Sequence, residues 1–195
     1  NYFRSLGIKK GDKVMLVLKR HYQFWFSILA LHRLGAIVIP ASNQLVKHDF
    51  EYRFDAAEIS AIVCTSDGNV ADEVDLAAPN CKSLKTKIVV GKSRDGWNDF
   101  NSEFSSFSKE FPRTEETACG SEPMLMFFTS GTTGNAKGVC LSQKNICANI
   151  MSIASMVKVD PSRHALSVLP IHHTYESTIG HLLLLSAGGC ISYSD

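Results

Sequence analysis

The sequence predicts an α/β fold, layered around a parallel sheet, and three observations carry that expectation. Short apolar runs recur where buried strands would lie, segments with apolar residues at helical spacing fall between them, and the joints are only a few residues long. Strand, helix and strand joined in this way make a βαβ unit, whose two strands lie parallel in one sheet.

The first strand is Lys13-Val14-Met15-Leu16-Val17-Leu18, introduced by the turn residues Gly11 and Asp12. From Tyr22 the period changes to that of a helix: Phe24, Ile28 and Leu31 share a stripe, and Gly35 stands where a C-terminal cap is expected. A strand at 36–39 closes the first βαβ unit. The alternation continues with a helix over about 46–58, a strand at 61–64, a short helix over 70–77 and a strand at 87–90, a three-layer pattern. Residues 93–121 lose the apolar period; rich in Ser, Asp, Glu and Asn around Trp97, Phe100, Phe104 and Phe107, they predict a short helix with loops on the surface. A strand at 124–128 follows and runs straight into a polar loop. Beyond the loop, Val139-Cys140-Leu141 reads as a strand, and Ser142 is placed to cap a helix carrying Ile146, Ile150, Ile153 and Val157 on one face. The last unit is a strand at 165–169, a turn at Pro170, a helix to about Ala187, Gly188-Gly189, and a strand at 190–193 that would extend the sheet.

Composition narrows the function classes. A chain of 195 residues suits one domain or part of a larger one. With Lys+Arg 20 against Asp+Glu 19 and a formal charge of +1, it has no electrostatic footprint for nucleic acid or an anionic membrane. Hydrophobic residues at 45% and charged residues at 20% are those of a globular protein with a core. No apolar stretch approaches the roughly 20 residues of a membrane span; the strongest, at 24–31, stops at His32-Arg33. Cys64, Cys81, Cys119, Cys140, Cys147 and Cys190 are scattered and form no C-x-x-C pair, which points to reduced thiols and a cytoplasmic setting. Neither Asn1 nor Asp195 reads as a natural terminus.

The chemistry concentrates in Thr129, Ser130, Gly131, Thr132, Thr133, Gly134, Asn135, Ala136, Lys137 and Gly138. Glycines let backbone N–H groups converge on an anion, hydroxyls add donors without bulk, and Lys137 supplies a point charge suited to phosphate. The pattern is not G-x-x-x-x-G-K-[ST], since Ala136 and Gly138 stand where that motif needs Gly and Ser or Thr. Nor does a G-x-G-x-x-G open a helix here. The plain alternative is a Ser/Thr/Gly hairpin turn.

Phe128-Thr-Ser-Gly-Thr-Thr-Gly-Asn-Ala-Lys-Gly138 closely resembles the signature loop of the adenylate-forming superfamily, which includes acyl-CoA synthetases, luciferases and the adenylation domains of peptide synthetases. Gly7-Ile-Lys-Lys-Gly-Asp-Lys13 resembles that family's lead-in, Gly35-Ala-Ile-Val-Ile-Pro40 its early strand, and Leu169-Pro-Ile-His-His-Thr-Tyr175 its next motif, so the likeness runs through the chain in family order. Ala136 departs from the Pro usual there, which implies a less rigid loop with its donors retained. Tyr52-Arg53, Asp72-Glu-Val, Cys81-Lys-Ser-Leu-Lys and Gly96-Trp97 look like short- and medium-chain acyl-CoA synthetases, whereas Leu141-Ser-Gln-Lys-Asn145 and Pro170-Ile-His-His-Thr-Tyr-Glu176 look like long-chain ones.

The resemblance implies a partial N-terminal AMP-binding domain over 1–195, with a C-terminal lid domain outside it. It implies ATP-dependent activation of a carboxylic acid, most readily a fatty acid, to an acyl-adenylate and then an acyl-CoA, with ATP, Mg²⁺ and coenzyme A. Thr129, Ser130, Gly131, Thr132, Thr133, Gly134 and Lys137 would bind the phosphates; His173 would be catalytic, with His173 and Tyr175 bordering the acyl pocket. Two other classes stay open: an adenylation domain loading a carrier protein, and a non-catalytic nucleotide-binding or structural fragment. From the residues alone, His172-His173 would lie after a strand and a Pro, at the carboxyl end of the sheet where α/β proteins bind ligands; the alternative is one packed and one solvated imidazole. His164, His172, His173, His181 and Cys190 lack the spacing of a zinc site, so no metal ligand is assigned. Ser130 and Ser142 lack a G-x-S-x-G elbow. Phe24, Trp25 and Phe26 are expected in the core, and the Lys9-Lys10 pair and the lysines at 82–87 in solvated turns.

Overall fold

Side chains alternate across each strand, and this alternation divides the apolar residues between two cores, one on either face of the sheet. The computed structural model describes residues 1–114, 117, 120–129 and 135–193. Helix α1 (Tyr2–Ser5) leads into β1 (Lys13–Val17), α2 (Gln23–Leu34), β2 (Ile37–Pro40), α3 (Lys47–Ala56), β3 (Ala61–Thr65), α4 (Val70–Ala77) and β4 (Thr86–Val90). Strand β5 (Asn98–Asp99), α5 (Phe100–Glu103), β6 (Pro123–Thr129), β7 (Lys137–Ser142), α6 (Gln143–Met156) and β8 (His164–Ser167) follow. A π-helix (Glu176–Leu183), α7 (Leu184–Ser186) and β9 (Cys190–Tyr193) come last, and short 3-10 turns lie at Ala78–Asn80 and Phe104–Ser106.

The large sheet has the order β5-β4-β3-β1-β2-β6-β7. Its pairings are parallel except β6 with β7, which are antiparallel. Val14 and Leu16 of β1 face one core with Phe24, Ile28 and Leu31 of α2. Met15 and Val17 face the other, against Phe50 and Phe54 of α3 and Val70 and Val74 of α4. The result is the expected three-layer α/β arrangement. Gly35 takes φ 82° after α2, and the Gly35 and Ala36 N–H groups donate back to His32 O and Leu31 O. That is a Schellman cap, which glycine enters without the Cβ penalty of other residues.

Three expectations change. The last strand does not extend the large sheet: β8 and β9 pair with each other, in parallel, as a separate two-stranded sheet. The segment around residue 100 is not all surface: Phe100 is buried against Tyr2 and Phe3, and Phe104 and Phe107 pack on the same core. Its aromatics enter singly from short turns, so no helical or strand period announces them. Phe26 is exposed while Phe24 and Trp25 are buried, because a residue two places from Phe24 falls on the opposite side of the helix.

Candidate active site

Strands β2 and β6 end side by side, and their carboxyl ends open into a cavity of about 340 Å³. Pro40 and Thr129 supply the strand ends, Arg53 reaches in from α3, and His172, His173 and Thr174 line it from the turn after β8. In a parallel sheet this is the side where ligands bind. The structure therefore brings one end of the candidate loop, Thr129, and the candidate histidines to one place.

Thr129 and Lys137 face each other as the last described pair of the β6–β7 ladder, and Thr129 Oγ1 donates to Lys137 O at 3.4 Å. Both side chains are exposed. The remaining expected phosphate-binding residues, Ser130, Gly131, Thr132, Thr133 and Gly134, lie outside the described residues. The plain reading of the loop as a hairpin connection agrees with its flanking strands. A hairpin and an anion-binding tip are compatible, since the strands fix only the two arms.

The His172-His173 turn is held by its backbone. His173 N–H donates to Pro170 O at 2.9 Å, and His173 O accepts from Ser177 N–H at 3.0 Å, so the residue sits at the entry to the π-helix. The His173 Nδ1 accepts from Tyr175 N–H at 3.3 Å. With Nδ1 accepting, the neutral ring carries its proton on Nε2, where it can be donated. His172 is the more buried of the two; burial, and then the charge of His173, hold its pKa below the ordinary histidine value. Behind the turn, buried Glu176 accepts a hydrogen bond from Ser167 Oγ, which ties the π-helix to the end of β8. Tyr175 is exposed and does not line the cavity; its neighbour Thr174 does.

Arg53 joins the site without having been expected there. Its Nη1 donates to Asp49 O and to Asp49 Oδ1, both at 3.1 Å, and its guanidinium lies 5.4 Å from the centroid of the Phe128 ring. A cation so held faces the same cavity as the histidines. Its sequence signal is slight, an Asp and an Arg four apart on a helix, which by itself describes any solvated helix face. Among the described residues, no group of three or more His, Cys, Asp or Glu is arranged to hold a metal ion.

The model of the AMP-binding enzyme family matches residues 1–195. The chain belongs to that family. It is 40% identical over 140 residues to the mitochondrial acyl-coenzyme A synthetase ACSM5 of Rattus norvegicus, covering 71% of this chain and 24% of that one. With ACSM5 of Homo sapiens it is 38% identical over 144 residues, 72% of this chain and 24% of the relative. The chain thus spans about a quarter of the length of these AMP-binding relatives. Among solved structures, the anthranilate CoA ligase AuaEII in complex with anthranoyl-AMP superposes with TM-score 0.89 at 18% identity, covering 98% of this chain and 37% of that one. ATP-bound MatB from Rhodopseudomonas palustris gives 0.81 at 21% identity, covering 99% and 37%. These two likenesses establish the fold.

The relatives correct one expectation. Scattered reduced thiols suggest a cytoplasmic setting, whereas ACSM5 of both species, and ACSM4 of Rattus norvegicus, are mitochondrial. Cysteine usage separates disulfide-forming compartments from the others, and it carries no information on which of the others holds the protein. Free Cys64, Cys81, Cys140, Cys147 and Cys190 are compatible with either.

Proposed function

We propose that this AMP-binding chain is the N-terminal, phosphate-gripping part of an acid–thiol ligase that activates a carboxylic acid with ATP and passes it to coenzyme A. The observation that carries this reading is the family match over all 195 residues, joined to a cavity that combines Thr129, Arg53 and His173. In the first step a carboxylate oxygen attacks the α-phosphorus, the bond to the bridging oxygen breaks, and pyrophosphate leaves. In the second, the thiolate of coenzyme A attacks the acyl carbonyl and AMP leaves. The Lys137 ammonium and the donors at 129–134 would hold the β- and γ-phosphates, so that charge building on the departing pyrophosphate meets fixed donors. The Nε2–H of His173 would hydrogen-bond a carboxylate oxygen of the acid and hold the nucleophile in line. Among the described residues no acidic cluster is arranged to hold Mg²⁺, and the groups assigned to these two steps are all side chains and backbone donors of the protein. A fatty acid is the acid we favour, because Pro170 to Glu176 resembles the long-chain enzymes; Tyr175, exposed next to the cavity-lining Thr174, would then meet its chain outside the cavity.

The test is acid-dependent exchange of pyrophosphate into ATP by the complete protein. Lys137→Ala should lower exchange by about 10²-fold, the scale for removing a donor to developing charge, with unchanged circular dichroism, since an exposed Lys at the start of β7 has little packing to lose. His173→Ala should lower it as well, and Tyr175→Ala should shift preference along a ladder of acids from acetate to palmitate. Exchange unchanged in Lys137→Ala would overturn the reading.

A further inference from the structure

Two successive residues of α3, Tyr52 and Arg53, reach the hairpin that carries the candidate phosphate loop. The core stripe of the helix, Phe50 and Phe54, points into the sheet, which leaves Tyr52 and Arg53 at the flank that meets the hairpin. Tyr52 Oη donates to the Ala136 carbonyl at 2.8 Å, across 84 positions of sequence. Ala136 immediately precedes Lys137, so this bond fixes the peptide from which the Lys137 side chain starts. On the other arm, the Arg53 guanidinium lies over the Phe128 ring, and the Tyr52 ring meets the same ring edge-on with centroids 6.4 Å apart. Phe128 precedes Thr129, the partner of Lys137 in the ladder. The α3 pair thus spans both arms.

We propose that Tyr52 is a positioning residue for ATP, setting Lys137 at the distance from Thr129 at which both meet the nucleotide phosphates. The proposal rests on the assignment of residues 129–137 as the phosphate loop. A hydroxyl on a half-buried tyrosine is a small share of the stability of a chain with two full cores, whereas a shift of about 1 Å in a group that orients reactants can cost far more in rate than in folding. Loss of this hydroxyl should therefore be felt first in the use of ATP. Phe at position 52 keeps the ring on Phe128 and removes only the donor.

The experiment compares Tyr52→Phe with the unsubstituted complete protein in acid-dependent pyrophosphate exchange, with Lys137→Ala in parallel. The expected result is a rise of about fivefold in KM for ATP, the scale of one net hydrogen bond, with KM for the acid and the thermal midpoint unchanged. If Lys137→Ala loses exchange while Tyr52→Phe keeps its KM for ATP, the positioning role is wrong and the loop assignment stands. If Tyr52→Phe lowers the midpoint and depresses KM and kcat for both substrates together, the bond is merely structural and the proposal is overturned. If Lys137→Ala exchanges normally, the loop assignment falls and this role falls with it.

Discussion

The described residues up to β6 and those from β7 onward are built to different standards of burial. In the first region, helices cover both faces of the sheet, and Leu16, Val63 and Ile88 at its centre are fully buried. In the second, the small β8–β9 sheet leaves Leu166 60% exposed, while α6 carries Met151 at 71% and Met156 at 78%. Apolar surface of this extent usually marks a face that something else covers. The candidate cavity lies on the seam: its strand ends and Arg53 come from the first region, and His172, His173 and Thr174 from the second. A self-sufficient sheet therefore fixes one wall, and a less buried unit carries the histidines to it.

The sharpest way to break this contrast is to delete the same side chain in each region. Leu16→Ala removes a fully buried side chain flanked by β2 and β3, and should cost about 3 kcal/mol, within the usual range for a core leucine. Leu166→Ala in β8 should cost no more than about 0.5 kcal/mol, as for a surface position. Thermal or urea unfolding of the 195-residue chain measures both. Equal losses would show that β8 is as tightly packed as β1.

The same contrast explains what is legible in the sequence. Strands β1, β3 and β4 are readable as short apolar runs, helices α2, α3 and α4 by apolar residues at helical spacing, and their partners lie nearby in the chain. The pairing of β8 with β9 is not, since an apolar run announces a strand without naming its neighbour. The π-helix (Glu176–Leu183) reads simply as a helix, its hydrogen-bond register having no signature in apolar spacing. At the site, the Pro170 turn makes the His172-His173 position readable. Arg53 and Tyr52 stay hidden: their partners Phe128 and Ala136 are distant in sequence, and only the fold brings them together.

Acid should separate the regions next: Trp97 reports on the first, and Trp25 of α2, through its stack on His181, reports on the second. Asp75 of α4 accepts from Lys87 Nζ at 2.6 Å, Arg94 Nε at 2.7 Å and Trp97 Nε1 at 3.0 Å. Burial alone would raise its pKa; the hydrogen bonds from Lys87 and Arg94 outweigh burial and hold it below the ordinary 3.8. A depressed carboxylate contributes stability that is present above 3.8 and lost as pH falls through the folded value. His181 of the π-helix is stacked on Trp25, and burial pushes its pKa down from 6.5 to about 3. Its unfolded form takes up a proton first, so its contribution is full above 6.5 and declines from there toward 3. In Trp97→Phe, Trp25 fluorescence should begin to change near about pH 6; in Trp25→Phe, Trp97 fluorescence should hold until below about pH 4. Coincident acid transitions would contradict the division.

The smallest expected effect comes from two glycines in the same local geometry. Gly188 ends α7 at φ 73°; its N–H donates to Leu185 O and that of Gly189 to Leu184 O, the Schellman pattern also seen at Gly35. A Cβ at Gly188 would meet Pro161 at 3.7 Å, an ordinary contact. The conformational cost of alanine at positive φ should be alike at both sites, about 1 kcal/mol. Any difference in outcome then reports the surroundings. Gly35→Ala lies beneath the large sheet and should lower the main thermal transition by about 2–4 °C. Gly188→Ala should leave that transition in place and instead speed hydrogen exchange in β8, β9 and the π-helix, because a region with few buried apolar contacts opens below the global free energy. Equal shifts of one shared transition would mean that the two regions unfold as a single unit despite their unequal burial.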